Sequence, residues 1–227
     1  MLLPYFYKVV SMKELCKYID HTLLKPEAGR EAIIKLCNEA KQYGFYAVCV
    51  NSMYVSLCKE QLEGSDVKIA SVIGFPLGAM STKAKAFETA DAAANGAEEI
   101  DMVIAIGAVK DRNWDYVRDD IKAVVEAAKA NGAIVKVILE TGLLTNEEII
   151  RSCGIAADAG AAFVKTSTGF GHGGATVQHV ALMRQAVGPN LQVKASGGIR
   201  DKETALAMIE AGADRIGASA GIAICAE

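Results

Sequence analysis

Lys165 sits in the run AAFVKTSTGFGHGGAT, residues 161–176, an ammonium group inside an apolar, strand-like segment; four glycines follow between Gly169 and Gly174. Lys194 holds the same kind of place in LQVKASGG, Lys136 in IVKVILE and Asp101 in EIDMV. Two lysines brought side by side have a specific use. A free amine of pKa about 10.4 is neutral in about one molecule in 2,500 at pH 7. A second ammonium at about 4 Å adds about 4 kcal/mol to the cost of its charge at an effective dielectric constant of 20, or about three pKa units. The neutral amine can then attack a carbonyl and form a Schiff base. Each residue alone also has a plainer reading. A strand lysine can lay its stem on apolar surface with its head in water. Asp101, or Lys136 with Glu140, can form a structural ion pair. Cys49 reads as a small core residue. Convergence favours chemistry, because ionisable groups inside strands are costly to bury without partners or purpose.

The elements that must position these groups follow a repeated phrase: an alanine-rich helical end, a glycine, then an apolar strand. It reads EAKQYGFYAVCV, ADAAANGAEEIDMVI, VEAAKANGAIVKVIL, AADAGAAFVKTS and MIEAGADRIGAS, with Gly44, Gly96, Gly132, Gly160 and Gly212 in equivalent places. Looser copies carry Gly64 and Gly188, and KYIDHTLL supplies a further strand. Glycine there suits the residue just past a helix end, where the backbone turns left-handed. Thr145 with Glu148 forms a capping box and Asp201 caps KETALAMIEAG. Continuous apolar, β-branched strands are those of a parallel sheet covered on both faces. Eight of them alternating with helices predict a single (β/α)8 TIM barrel with a short N-terminal helix, one domain over residues 1–227. An open doubly wound sheet is the alternative, but no G-x-G-x-x-G follows the first strand.

Period-two reading sorts the polar residues. Phe163, Lys165 and Ser167 share one face; so do Lys194 with Ser196, Asp101 with Val103, Lys136 with Ile138 and Glu140, and Ala47 with Cys49 and Asn51. Asp20 and Thr22 come from the first strand. These sets converge inside a barrel, towards the strand C-termini where barrel active sites lie. Glycines 169, 171, 173 and 174, SGGIR with Gly197 and Gly198, and GASAG with Gly217 and Ser219 fall in the last three βα loops. Exposed backbone amides there make an anion site, and loops after strands seven and eight are the usual phosphate position. The plainer reading is a set of tight turns.

The 227 residues carry a net charge of −3, which argues against nucleic acid as a general partner. Six scattered cysteines without a C-x-x-C pair read as reduced core thiols of a cytoplasmic protein. The three histidines form no metal-binding spacing, so no metal is expected. MLLPYFYKVVSM lacks a basic region and a cleavage site, and no segment is long enough to span a membrane. Residues 1–11 read as an extension before Met12, although Ser11 in SMKE would cap the following helix.

Taken in order, YIDHTLLKP, VCVN, VIGFPLG, EIDMVI, KVILETGLL, FVKTSTGFGHGGAT, VKASGGIR and RIGASAG resemble the deoxyribose-phosphate aldolase family, from about residue 15 to 223. The resemblance implies a class I aldolase barrel without metal or cofactor, cleaving 2-deoxy-D-ribose 5-phosphate reversibly to acetaldehyde and D-glyceraldehyde 3-phosphate. By position, Lys165 resembles the Schiff-base lysine, Lys194 its pKa-lowering neighbour and Asp101 the acid/base residue. Asp20, Thr22, Cys49, Lys136 and Thr166 resemble the pocket lining. The backbone of Gly169, Gly197, Gly198 and Gly217, with the Ser219 hydroxyl, resembles the phosphate cradle. Family members are frequently homodimers. Phe170 stands where some members carry a phosphate-holding lysine, Ala220 replaces a second serine, and the sequence ending at Glu227 has no tyrosine tail. The competing readings are another Schiff-base or phosphate-sugar barrel, such as a transaldolase-like protein or an epimerase, and a barrel that senses a phosphorylated metabolite without chemistry.

Overall fold

A computed structural model describes residues 12–171 and 173–226. The extension 1–11 and the Ser11 cap lie outside them. The strands are β1 (Ile19–Thr22), β2 (Ala47–Asn51), β3 (Lys68–Ile73), β4 (Glu99–Val103), β5 (Ile134–Ile138), β6 (Phe163–Lys165), β7 (Gln192–Ser196) and β8 (Arg215–Ala218). Each pairs in parallel with the next, and β8 pairs with β1, closing an eight-stranded barrel in chain order. The expected short N-terminal helix is α1 (Met12–Cys16), followed by α2 (Arg30–Tyr43), α3 (Val55–Gln61), α4 (Thr82–Asn95) and α5 (Ile106–Lys110). The outer ring continues with α6 (Trp114–Lys129), α7 (Asn146–Asp158), α8 (Val177–Val187), α9 (Lys202–Glu210) and α10 (Gly221–Ile224). This is a (β/α)8 barrel, not an open sheet.

Local chemistry sets the element ends. Thr145 and Glu148 close the capping box that starts α7, and the Asp201 carboxylate accepts from the Thr204 N–H to start α9. Gly44 and Gly160, at φ +66° and +86°, turn the chain from helix ends towards β2 and β6. Val48, Ile100, Val137, Val164 and Val193 point outwards and join the helices in one continuous apolar layer. Inside the barrel a smaller apolar cluster of Leu24, Cys49, Ala70 and Val72, with Phe75 against it, fills the side of β2 and β3. The rest of the interior mixes the charged side chains with buried Ala47, Val103, Ile138 and Phe163, and the Phe163 ring lies under Lys136 and Arg215.

Two strands end earlier than alternation predicts. β5 stops at Ile138 and β6 at Lys165. Glu140 takes a left-handed conformation, φ +57°, so it does not continue the Lys136 face, and an ion pair between the two is not formed. The chain leaves each strand where the βα loop must bend over the barrel mouth.

Candidate active site

Six strands send charged side chains into one buried cluster: Asp20 from β1, Glu99 and Asp101 from β4, Lys136 from β5, Lys165 from β6, Lys194 from β7 and Arg215 from β8. Strand register makes this meeting local, because Asp101 is opposite Lys136, Lys165 opposite Lys194, and Lys194 opposite Arg215. Residues at equal height on neighbouring inward faces are brought side by side.

Asp101 is the hub. Its Oδ1 accepts from Lys136 Nζ at 2.8 Å. Its Oδ2 accepts from Lys165 Nζ at 2.9 Å and from Lys194 Nζ at 2.8 Å. Lys194 also donates to Asp20 Oδ2 at 2.5 Å, and Asp20 Oδ1 accepts from Arg215 Nη1 at 2.8 Å. Lys136 reaches Glu99 Oε2 at 2.5 Å. Burial alone would push the Asp101 carboxyl up, but the ammonium groups of Lys136, Lys165 and Lys194 hold it well below the usual carboxylate range. Asp20 is depressed in the same way, with burial opposed by Lys194, Lys136 and Arg215. Burial opposes the charge of Lys194 and Lys136 too, and their carboxylate partners outweigh it, so both are raised. The lysine pair is therefore not the bare pair that the sequence argument supposes; a carboxylate oxygen bridges it.

Above the cluster opens a cavity of 360 Å³ at the C-terminal ends of the strands, within the size range of small-molecule sites. Lys165 belongs to both, reaching Asp101 below and the cavity wall above. Thr22, Gly169, Gly197, Gly198, Gly217 and Ser219 line the cavity as well. Asp20, Asp101, Lys136 and Lys194 lie beneath that wall, fully buried. Cys49 sits in the apolar inner cluster, its Sγ 4.0 Å from Asp101 Oδ2, and burial raises its thiol. Thr166 is not on the wall: its hydroxyl donates to the Ser196 carbonyl at 3.0 Å and accepts from the Ser196 N–H at 3.0 Å. That hydroxyl ties β7 to the chain leaving β6.

The glycine loops close on one another. Gly197 has φ +90°, and a Cβ on Gly174 would stand 2.3 Å from the Gly197 carbonyl oxygen. A Cβ on Gly217 would meet Lys194 Cε at 2.9 Å. A side chain at Gly174 would clash with the Gly197 backbone and force the two loops apart, and one at Gly217 would displace the lysine. Among the described residues no group of three His, Cys, Asp or Glu side chains is placed to hold a metal ion.

Period two carried further would also have found Glu99, two residues before Asp101, and Arg215, two before Gly217. Lys25, Thr168 and Arg200 join the cavity wall from loops, for which no periodicity speaks.

Fold and site together define a barrel enzyme with an amine at the floor of its pocket. The sequence profile described as DeoC/LacD family aldolase matches residues 15–227, and the chain belongs to that family of aldolases. It is 62% identical over 211 residues to the deoxyribose-phosphate aldolase of Bdellovibrio bacteriovorus, covering 93% of this chain and 95% of that one. The same-named protein of Streptococcus sanguinis is 63% identical over 211 residues, with the same coverage of both chains. The tetrameric deoxyribose phosphate aldolase of Aeropyrum pernix shares the fold at a TM-score of 0.89 and 35% identity, over 95% of this chain and 91% of that one.

Proposed function

We propose that this chain, as one catalytic domain, is a class I aldolase that reversibly cleaves 2-deoxy-D-ribose 5-phosphate to acetaldehyde and D-glyceraldehyde 3-phosphate through a Schiff base on Lys165. The observation that carries the reading is that Lys165 alone among the three clustered lysines faces the cavity, while Asp101 Oδ2 joins it to Lys194. Relatives named for this activity at 62% and 63% identity support the substrate.

The nucleophile must be a neutral amine. Three carboxylates, Asp20, Glu99 and Asp101, face four cations, Lys136, Lys165, Lys194 and Arg215. The cations outnumber the carboxylates by one. Lys165 Nζ adds to C1 of the open-chain sugar and water leaves, giving an iminium. The C3 hydroxyl loses its proton, the C2–C3 bonding pair flows into the iminium, and glyceraldehyde 3-phosphate departs as the C3 aldehyde. The bond is C2–C3 because acetaldehyde keeps only C1 and C2. Protonation of the enamine at C2 and addition of water release acetaldehyde and the amine. Asp101 Oδ2 touches both amines and carries protons between Lys165 and Lys194 and, through water, the substrate. Thr22 flanks the sugar, with Asp20, Cys49, Lys136 and Thr166 supporting the floor. The phosphate takes the backbone of Gly169, Gly197, Gly198 and Gly217 and the Ser219 hydroxyl. No cofactor takes part.

The setting we infer is deoxyribonucleotide catabolism in the cytoplasm; six buried cysteines without disulfides are in keeping with a reducing compartment. A homo-oligomer is in keeping with the Aeropyrum pernix tetramer. No helix among the described residues is long and apolar enough to cross a membrane.

The test is borohydride reduction in the presence of acetaldehyde, followed by peptide mass spectrometry. An ethyl group on Lys165 is expected. A folded protein that binds deoxyribose 5-phosphate but gains no adduct would overturn the reading in favour of a non-catalytic barrel.

A further inference from the structure

Just past β5 lies a carboxylate that the reaction leaves unused. Glu140 is only 2% exposed and holds a left-handed backbone at φ +57°, a conformation that costs a non-glycine residue energy. No described cationic side chain forms an ion pair with it. Its Oε2 accepts from the Thr168 N–H at 3.2 Å and from the Thr168 hydroxyl. That hydroxyl oxygen in turn accepts from the Phe170 N–H at 3.1 Å. Glu140 Oε1 is buried without a hydrogen-bond partner. Gly171 packs on the same carboxyl so tightly that a Cβ would stand 2.9 Å from Oε2 and 3.0 Å from Cδ. Gly171 is not in the positive-φ region, so clearance and not its dihedral requires glycine there. Phe170 meets Phe75 edge-on, ring centroids 5.3 Å apart.

A buried, unpaired carboxylate is expensive, and hydrogen bonds to a charged acceptor are the strong ones. Here both donors come from one residue of the turn that walls the anion end of the cavity through Thr168, Gly169 and Phe170. We propose that Glu140 is a positioning residue for phosphate recognition, its carboxylate latching the 168–171 turn so that the backbone of Gly169 faces the cavity. The proposal rests on the phosphate reading above.

The test is a cycle of Glu140→Ala, Gly171→Ala and the double variant, with Glu140→Gln, assayed on deoxyribose 5-phosphate and on unphosphorylated deoxyribose. Each single alanine variant should raise KM for the phosphorylated sugar about tenfold, the scale of losing one hydrogen bond to a charged group. kcat/KM for deoxyribose should hold. The double variant should be no worse than the poorer single one, because removing the Glu140 side chain vacates the space that the methyl added by Gly171→Ala needs. Glu140→Gln keeps an acceptor oxygen for Thr168 but not its charge and should fall between the parent and Glu140→Ala, and Gly171→Ala keeps the proposal testable if Glu140→Ala does not fold. Unchanged KM in both single alanine variants, equal losses on the two sugars, or additive losses in the double variant would overturn the latch alone. A parent without preference for the phosphorylated sugar would overturn the phosphate reading and the latch with it.

Discussion

At the scale of single residues, Asp101 decides how three buried lysines coexist. Three ammonium groups on one carboxylate leave it strongly ionised, and its Oδ2 is shared between the proposed nucleophile and Lys194. Lys194 is held protonated by Asp101 and Asp20. Its proposed work is to supply positive charge and a proton beside Lys165. Lys194→Leu should therefore cut kcat for deoxyribose 5-phosphate cleavage by about 10²–10⁴-fold, the range of a lost general acid–base group. Circular dichroism should show the barrel intact, since Asp20 keeps Arg215 as a partner. Turnover within a few-fold of the parent would remove Lys194 from the mechanism.

At the scale of elements, helix ends and helix-to-helix ties contribute unequally. The Thr145 capping box is exposed, and Thr145→Ala should cost about 1 kcal/mol. Between α4 and α6, Lys85 Nζ donates to Asp120 Oδ2 at 2.6 Å and to the Val103 carbonyl at 3.0 Å, with both side chains fully buried. Asp120→Ala strands that ammonium and the Thr82 hydroxyl that also donates to Asp120. The expected cost is about 3–5 kcal/mol, as for other buried pairs broken on one side. Urea midpoints of the two variants rank these effects; equal midpoints would contradict the argument. The cap was legible in the local sequence because its partners are three residues apart. The Lys85–Asp120 pair was not, because 35 residues separate the partners and only helix packing joins them.

At the scale of the whole molecule, the charged cluster ties the closing seam of the barrel, since Asp20 of β1 holds Lys194 and Arg215 of the last two strands. Asp20 and Asp101 have folded pKa values below the unfolded value of about 3.9. Their contribution is present above that unfolded value and is lost as pH falls towards the folded ones. Lys136, Lys194 and Arg215 are raised, so theirs is present below their ordinary values and is lost only at strongly alkaline pH. The thermal midpoint should be flat from about pH 5 to 9 and fall below about pH 4. Asp101→Asn should flatten the acid limb. Parallel acid limbs in parent and variant would show that the cluster does not govern acid unfolding.

The sequence by itself determined the (β/α)8 architecture, because βα units repeat their helix ends, glycines and apolar strands within short windows where local propensity decides. It also determined which strand residues face inwards, because alternation is a property of one strand: Lys136, Lys165, Lys194 and Asp101 were legible on that ground alone. Only the tertiary structure decided who pairs with whom. Register across six strands placed Asp101 between the lysines, gave Lys136 to Glu99 and not to Glu140, and drew Arg215 into the cluster. The same long-range geometry turned Thr166 to the Ser196 backbone and Glu140 to the Thr168 turn. Charge pairing depends on distances between segments far apart in the chain, and those distances exist only once the barrel has closed.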